Sequence, residues 1–275
     1  MKQLFSRFPF WSRIFLALGL GAAALVLSGS IYSLLPVKPY FPFVAEVLLL
    51  LITWLLLRTD RQKISSLGLD PSFRNIAYLF WGLGIGTLTF LTATWLRTLY
   101  TGEDWHLSSY VNTGSILRSL YYILPTVMVQ ELMFRGYLFT KTISRYGVVW
   151  TNVIFAIAFT LVHVIDYDVL QSLPRIVMLA LIIPVGHLWF AAALLRSRTL
   201  LFPIGLHWGN NWAVQHLVGN TDNQQSILYL TDQKVFNTWL PFIIVLIIFN
   251  TFFLLVTWMI WKGKLSFGAK KAAVG

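Results

Sequence analysis

The sequence predicts an all-α membrane protein, a polytopic bundle of about eight transmembrane helices. Three observations predict it: 57% of the 275 residues are hydrophobic, only 11% are charged, and long apolar runs separate the charges. A soluble domain carries about 25% charged residues, and a helix needs about 20 mostly apolar residues to cross the hydrocarbon of a bilayer. We therefore expect residues 1–275 to form a single multi-pass transmembrane domain.

Eight stretches of the chain are long and apolar enough to be predicted as spans. In chain order they are residues 14–35, 41–57, 76–96, 117–140, 146–165, 176–195, 200–219 and 235–261. The second span contains Glu46, and the fourth contains both Glu131 and Arg135, which makes it the least ordinary of the set. Because seven more spans follow the first, we predict that the first is a retained helix and not a cleaved signal peptide.

The positive charges lie between the apolar runs. The formal net charge is +11, but because the basic residues share no single face, no nucleic-acid partner is expected. If the eight spans alternate from a cytoplasmic N-terminus, one side collects 15 Lys and Arg and the other collects five. The positive-inside rule then predicts that both termini are cytoplasmic. We expect a multi-pass protein of a bacterial inner membrane. The chain has no cysteine, which excludes a Cys nucleophile and thiolate metal sites.

Ionisable side chains inside a span are costly, so each one needs a partner or a function. Glu131 and Arg135 are four residues apart, which places them on one helical face with the acid before the base, the favourable order for a salt bridge. Gln130 points about 100° away around the helix. It must therefore find its hydrogen bonds on another surface.

Further polar pairs lie on two later spans. Phe159 and His163 are one turn apart on the fifth span, and His207 and Asn211 are one turn apart on the seventh. If the fourth and fifth spans form an antiparallel hairpin that turns near Gly147, Glu131 and His163 lie at equal depth and can face each other. Three helices that each present such a pair are expected to enclose a polar cavity. There an acid or base, an imidazole and an amide could act on a bound carbonyl group.

The remaining unusual residues receive structural interpretations. His187 has no polar partner at helical spacing, so we expect it to be structural. Glu46 is expected to be a packing or snorkelling acid near the outer interface. Gly82 and Gly86 form a small-xxx-small pair, which is typical of close helix packing.

The three polar pairs resemble the motifs of the CPBP family, the CAAX proteases and bacteriocin-processing enzymes. The family pattern is Glu-Glu-x-x-x-Arg on one transmembrane helix, Phe-x-x-x-His on the next, and a later His-x-x-x-Asn. The corresponding segments here are Gln130-Glu131-Leu-Met-Phe-Arg135, Phe159-Thr-Leu-Val-His163 and His207-Trp-Gly-Asn-Asn211. The resemblance covers about residues 115–215, the motif-bearing core.

The resemblance implies an intramembrane endopeptidase similar to type II CAAX prenyl proteases. Such an enzyme hydrolyses a peptide or lipidated peptide with water at the level of the membrane lipid, without a metal or another cofactor. The first motif Glu and the second motif His activate the water, and the last His and Asn stabilise the oxyanion. By position, the implied site residues are Gln130, His163, His207 and Asn211, with Glu131 in the same site and Arg135 and Phe159 supporting.

Gln130 departs from the family pattern, because a glutamine cannot accept a proton as a general base. It is an engineered substitution, a mark of a naturally non-catalytic relative, or a change tolerated because Glu131 or His163 takes the base role. We favour inactivity, engineered or natural, over a substitute base, because a Glu131 carboxylate paired with Arg135 is a weaker base.

Two other functions remain open. The first is a zinc-dependent intramembrane metalloprotease with Glu131, His163 and His207 as ligands. The second is a non-catalytic membrane protein that binds or transports a peptide or a lipid through the same cavity.

Overall fold

The computed structural model describes residues 9–219, 226–231 and 238–265. All but one of the helices in these ranges have at least 12 residues. They are α1 (Pro9–Leu34), α2 (Val44–Thr59), α3 (Phe73–Thr101), α4 (Thr113–Arg135), α5 (Tyr137–Val164), the short α6 (Tyr167–Leu170), α7 (Leu173–Ser197), α8 (Leu201–Trp212) and α9 (Trp239–Trp261). A 3-10 turn, Ile64–Leu67, precedes α3, and a π-helical turn, Ala213–Leu217, continues α8.

The helices confirm the predicted all-α bundle. Each apolar stretch of the sequence lies mostly within one of these helices. The predicted end of the seventh stretch at residue 219 is wrong, because α8 ends at Trp212 and Val218–Gly219 is a strand. The start of the last stretch, at residues 235–237, lies outside the described residues. Among the described residues, five helical segments are long and apolar enough to cross a membrane, and one of them joins α4 and α5 over Thr113–Val164. Helices α2 and α8 have only 16 and 12 residues, so the number of eight spans stays a prediction.

A small sheet, which we did not predict, joins two connections between helices. Strand β1 (Asp104–Leu107) pairs antiparallel with β3 (Leu228–Thr231), and β3 pairs in parallel with β2 (Val218–Gly219). In the register, Trp105 is opposite Leu230. Strands of two to four residues are too short to show an alternating hydrophobic pattern, which is why the sequence did not reveal them.

The predicted end of the fourth span at residue 140 is wrong. Helix α4 ends at Arg135 because the backbone leaves the helical conformation at Gly136, with φ −78° and ψ −133°. A Cβ atom at Gly136 would overlap the carbonyl oxygen of Leu132, so only glycine fits there. Helix α5 is interrupted in turn at Gly147, where a hairpin turn was expected. There φ is +72°, in the region that glycine favours.

Four glycines bring the backbones of α3 and α8 close together. Gly82 and Gly86 of α3, the predicted packing pair, lie against Gly205 and Gly209 of α8. A Cβ on Gly82 would stand 2.6 Å from a backbone carbonyl oxygen of α8, and one on any of the other three would overlap a carbonyl of the facing helix. Because small residues let helix backbones approach this closely, the contact holds α8, and with it His207, against α3.

Two tryptophans attach the other side of α8 to α4. The indole N–H of Trp208 donates to the carbonyl oxygen of Leu120 at 2.9 Å. The indole N–H of Trp212 is shared between the carbonyl oxygen of Ile116, at 3.2 Å, and the hydroxyl of Ser119, at 3.1 Å. Since a buried indole N–H needs an acceptor, these contacts hold α8 against the helix that carries the first motif.

Acidic residues mark both ends of α2. Glu46, in its first turn, is only 2% exposed, which favours the packing interpretation over snorkelling. Asp60 follows the last residue of α2 and forms ion pairs with Arg13 and Lys141, and it also accepts a hydrogen bond from the hydroxyl of Tyr137. Asp60 therefore connects α1, α2 and the start of α5 at one end of the bundle.

Candidate functional site

A cavity of about 460 Å³ lies between α4, α5, α7, α8 and α9, with a mostly apolar wall. Polar side chains from several of these helices converge on it. The residues proposed from the sequence that line it are Gln130, Phe159, His163, His207 and Asn211. Asn210, Gln215 and Asn250 also line the cavity, and the sequence analysis did not single them out.

Glu131 and Arg135 lie next to the cavity and are fully buried. Arg135 Nη1 donates to Glu131 Oε1 at 3.2 Å, so the ion pair predicted from the four-residue spacing is present. The same carboxylate oxygen lies 2.8 Å from His207 Nδ1. Glu131 thus bridges α4 and α8.

Glu131 forms hydrogen bonds with residues other than His163, the residue that the expected hairpin placed opposite it. Its hydrogen bonds go to Arg135 and His207, whereas we expected it to face His163. Glu131 and His163 would face each other only if α4 and α5 were two continuous helices joined by one turn. The breaks at the start and in the middle of α5 change the register of the two helices.

His187 is a buried residue whose hydrogen-bond partners could not be predicted from the sequence. It is 0% exposed, its Nδ1 lies 3.0 Å from Arg135 Nη2, and its Nε2 lies 3.1 Å from Asn152 Oδ1. His187 has no polar partner at helical spacing on its own helix, as expected, because both of its partners come from other helices, α4 and α5. Spacing along α7 could not have revealed them.

Aromatic rings surround the guanidinium of Arg135. Its Cζ lies 4.1 Å from the ring centroid of Phe159 and 5.1 Å from that of Phe190. Phe190 also stacks on His207, with 4.6 Å between centroids, and Phe159 makes an edge contact with His163 at 4.5 Å. A desolvated cation over an aromatic face gains about 2 kcal/mol. The two rings thus stabilise the buried charge and restrict the side chains that it touches.

Hydrogen bonds define what His163 and Asn211 present to the cavity. His163 Nδ1 is 2.7 Å from the carbonyl oxygen of Phe159. Because a carbonyl oxygen can only accept, Nδ1 carries the hydrogen, and in the neutral ring the lone pair is on Nε2. Asn211 Oδ1 accepts from Asn210 Nδ2 at 3.4 Å. That contact leaves the amide N–H groups of Asn211 to other acceptors.

The side chains do not form the His2Glu zinc site that was left open. Within the described ranges, no three His, Asp or Glu side chains are grouped so that they could hold a metal ion. Glu131 is bonded to Arg135 and His207 and does not line the cavity, so it does not lie beside both imidazoles as a third ligand. The donor set therefore does not fit zinc.

Comparison with known families supports the motif assignment. Residues 112–213 match the family model of the type II CAAX prenyl endopeptidases, Rce1-like. The match contains all three motifs, so the resemblance stated from them is confirmed. Together with the long apolar helices, it indicates an integral membrane protein with a protease-type core. No curated protein and no solved structure matches this chain.

Proposed function

We propose that this chain, whose residues 112–213 match the Rce1-like type II CAAX prenyl endopeptidases, is an intramembrane endopeptidase. The observation that carries the proposal is the convergence of Gln130, His163, His207 and Asn211 on one cavity between apolar helices. The mostly apolar wall favours a substrate that reaches the site from the membrane. We therefore propose a membrane-proximal or lipidated peptide as the substrate.

The polar groups have complementary roles in hydrolysis. The scissile carbonyl lies between His163 on one side and His207 with Asn211 on the other. The attacking water is held by His163 Nε2, which bears a lone pair. The oxyanion accepts hydrogen bonds from the Asn211 amide and from the His207 imidazole when its Nε2 carries a proton, while Nδ1–H donates to the Glu131 carboxylate. With a carboxylate at position 130, that group takes the proton from the water, the C–N bond of the tetrahedral intermediate breaks, and the proton passes to the leaving amine.

Gln130 limits the rate of this reaction. Its amide can form hydrogen bonds with the water but cannot take the proton. A positioned general base contributes about 10²–10⁴-fold to the rate. We therefore propose that the chain as written binds its peptide and hydrolyses it slowly or not at all, which makes non-catalytic binding the second candidate function.

The test compares Gln130→Glu with the unchanged chain in proteoliposomes, on a panel of membrane-proximal and lipidated peptides. We expect Gln130→Glu to raise the cleavage rate by about 10²–10⁴-fold, and His163→Ala or His207→Ala in that background to remove the gain. Gln171→Glu makes the same chemical change at an exposed position and should give no gain. Absence of cleavage by Gln130→Glu across the panel would favour the non-catalytic function.

A further inference from the structure

A chain of buried hydrogen bonds runs from the cavity into the space between α5 and α7. His207 is bonded to Glu131, and Glu131 to Arg135. Arg135 is bonded in turn to His187, and His187 to Asn152. The function proposed above uses the first two of these side chains, His207 and Glu131. It gives no role to His187 or Asn152, although His187 is fully buried and lies within 3.0 Å of the guanidinium.

The chemistry of the groups determines the direction of the hydrogen bonds. An arginine can only donate, so His187 Nδ1 must accept from Arg135 and the hydrogen of the neutral ring is on Nε2. His187 Nε2–H then donates to Asn152 Oδ1. The amide of Asn152 is oriented by its own Nδ2, which donates to the carbonyl oxygen of Val148 at 2.8 Å. Reversing one member would bring two donors face to face.

At its other end, the same series of hydrogen bonds orients the imidazole of His207. The two terminal nitrogens of Arg135 are divided between Glu131 and His187, so the plane of the guanidinium depends on both. Glu131 Oε1, held by Arg135, accepts Nδ1–H of His207. A buried carboxylate at this place keeps an imidazole in one tautomer, as the acid of a catalytic triad does. His207 lines the cavity, so Nε2 is the ring nitrogen left for a ligand.

We propose that His187 and Asn152 are positioning residues of the candidate site. They hold Arg135, and through it Glu131, in the geometry that keeps a hydrogen on His207 Nδ1 and leaves Nε2 for the cavity. Neither side chain lines the cavity, so neither touches the substrate. The consequence for cleavage rests on the proposed function, whereas the effect on His207 does not depend on turnover.

The experiment observes the imidazole rings of the chain as written. The chain has five histidines, so nitrogen NMR of isotope-labelled histidine in lipid nanodiscs yields five ring systems, each assigned by its loss in a single substitution. For the unchanged protein we expect Nδ1–H on His163 and His207 and Nε2–H on His187. A neutral His207 with its hydrogen on Nε2 would overturn the proposal.

Substitutions of the positioning residues should change the signals of a histidine that they do not touch. His187→Leu removes the acceptor of Arg135, and we expect the His207 ring to shift from the Nδ1–H form towards an average of both tautomers. His187→Asn retains an oxygen near the position of Nδ1 and should preserve the His207 signals. Asn152→Ala should give an intermediate change. His106→Leu, at an exposed position, should give none.

A kinetic measurement adds a second readout in the Gln130→Glu background. We expect His187→Leu to lower kcat by about 10- to 100-fold, the size seen for groups that orient functional histidines, with KM little changed. His187→Asn should recover most of the loss. Unchanged His207 signals in a folded His187→Leu protein would overturn the positioning role. If Gln130→Glu fails to cleave any peptide, the proposed function fails, and the NMR result still decides the positioning role.

Discussion

At the scale of single residues, the Glu131 carboxylate is the group on which the candidate site depends. One of its oxygens accepts hydrogen bonds from both Arg135 and His207. The side chains of Glu131 and Arg135 are fully buried. A buried charge is tolerated only when it is paired and hydrogen-bonded. The rings of Phe159 and Phe190 complete the surroundings of the guanidinium. The ion pair therefore neutralises two buried charges and also fixes the positions of the side chains next to the cavity.

Removing the carboxylate charge should be more damaging than removing the whole pair. We expect Glu131→Gln to lower the free energy of unfolding by about 3–5 kcal/mol, because Arg135 is then left as an unpaired buried cation. Adding Arg135→Met should recover part of the loss. Thermal unfolding in detergent micelles measures both effects, with the exposed Arg145→Met as the control. A double variant less stable than Glu131→Gln alone would contradict this account.

At the scale of the helices, α8 carries the last motif and is held from both sides. Glycines bring its backbone against α3, and Trp208 and Trp212 attach it to α4. With only 12 residues, α8 has little length over which to make other contacts. The depth and rotation of His207 and Asn211 are therefore set by the glycine contact.

The glycine contact can be tested within one helix. Gly86→Ala places a Cβ in overlap with a backbone carbonyl of α8, whereas nothing lies within 4 Å of a Cβ at Gly84. We expect Gly86→Ala to lower the free energy of unfolding by about 1–3 kcal/mol, the usual cost of overpacking, and to reduce cleavage in the Gln130→Glu background. Gly84→Ala should change neither. Equal thermal stability of the two variants would contradict the packing role.

At the scale of the whole molecule, the distribution of charge predicts how the bundle lies in the membrane. The side rich in Lys and Arg includes the ends of α2 and α7 and the region where Arg13 and Lys141 meet Asp60. The basic residues 2, 7, 270 and 271, also assigned to this side, lie outside the described residues. The positive-inside rule therefore predicts that this side faces the cytoplasm.

The absence of cysteine makes the orientation directly measurable. Gln62 and Gln171 are both exposed in connections between helices, and the predicted topology places them on opposite sides. We expect a membrane-impermeant thiol reagent to label Gln171→Cys in intact cells and Gln62→Cys only after the cells are opened. Labelling of Gln62→Cys from outside would reverse the predicted orientation, and labelling in detergent checks that both thiols are reactive.

Composition and local spacing were sufficient to predict a membrane protein, the approximate position of every long helix and the Glu131–Arg135 ion pair. These features depend on interactions within one helix or between a helix and lipid, which the order of residues encodes directly. The same spacing singled out His163, His207 and Asn211, and the family motif added Gln130; all four line one cavity. Local spacing also predicted the α3 half of the glycine contact, because such pairs have a fixed period on a helix surface.

Only the tertiary structure decided which distant side chains are partners. The bond from Glu131 to His207 and the bonds of His187 to Arg135 and Asn152 join helices that are far apart in the chain. No periodicity along one helix records such contacts, because they depend on how the helices cross and where glycines break them. For that reason His187 looked isolated in the sequence, and in the folded chain it is fully buried at the centre of the polar network.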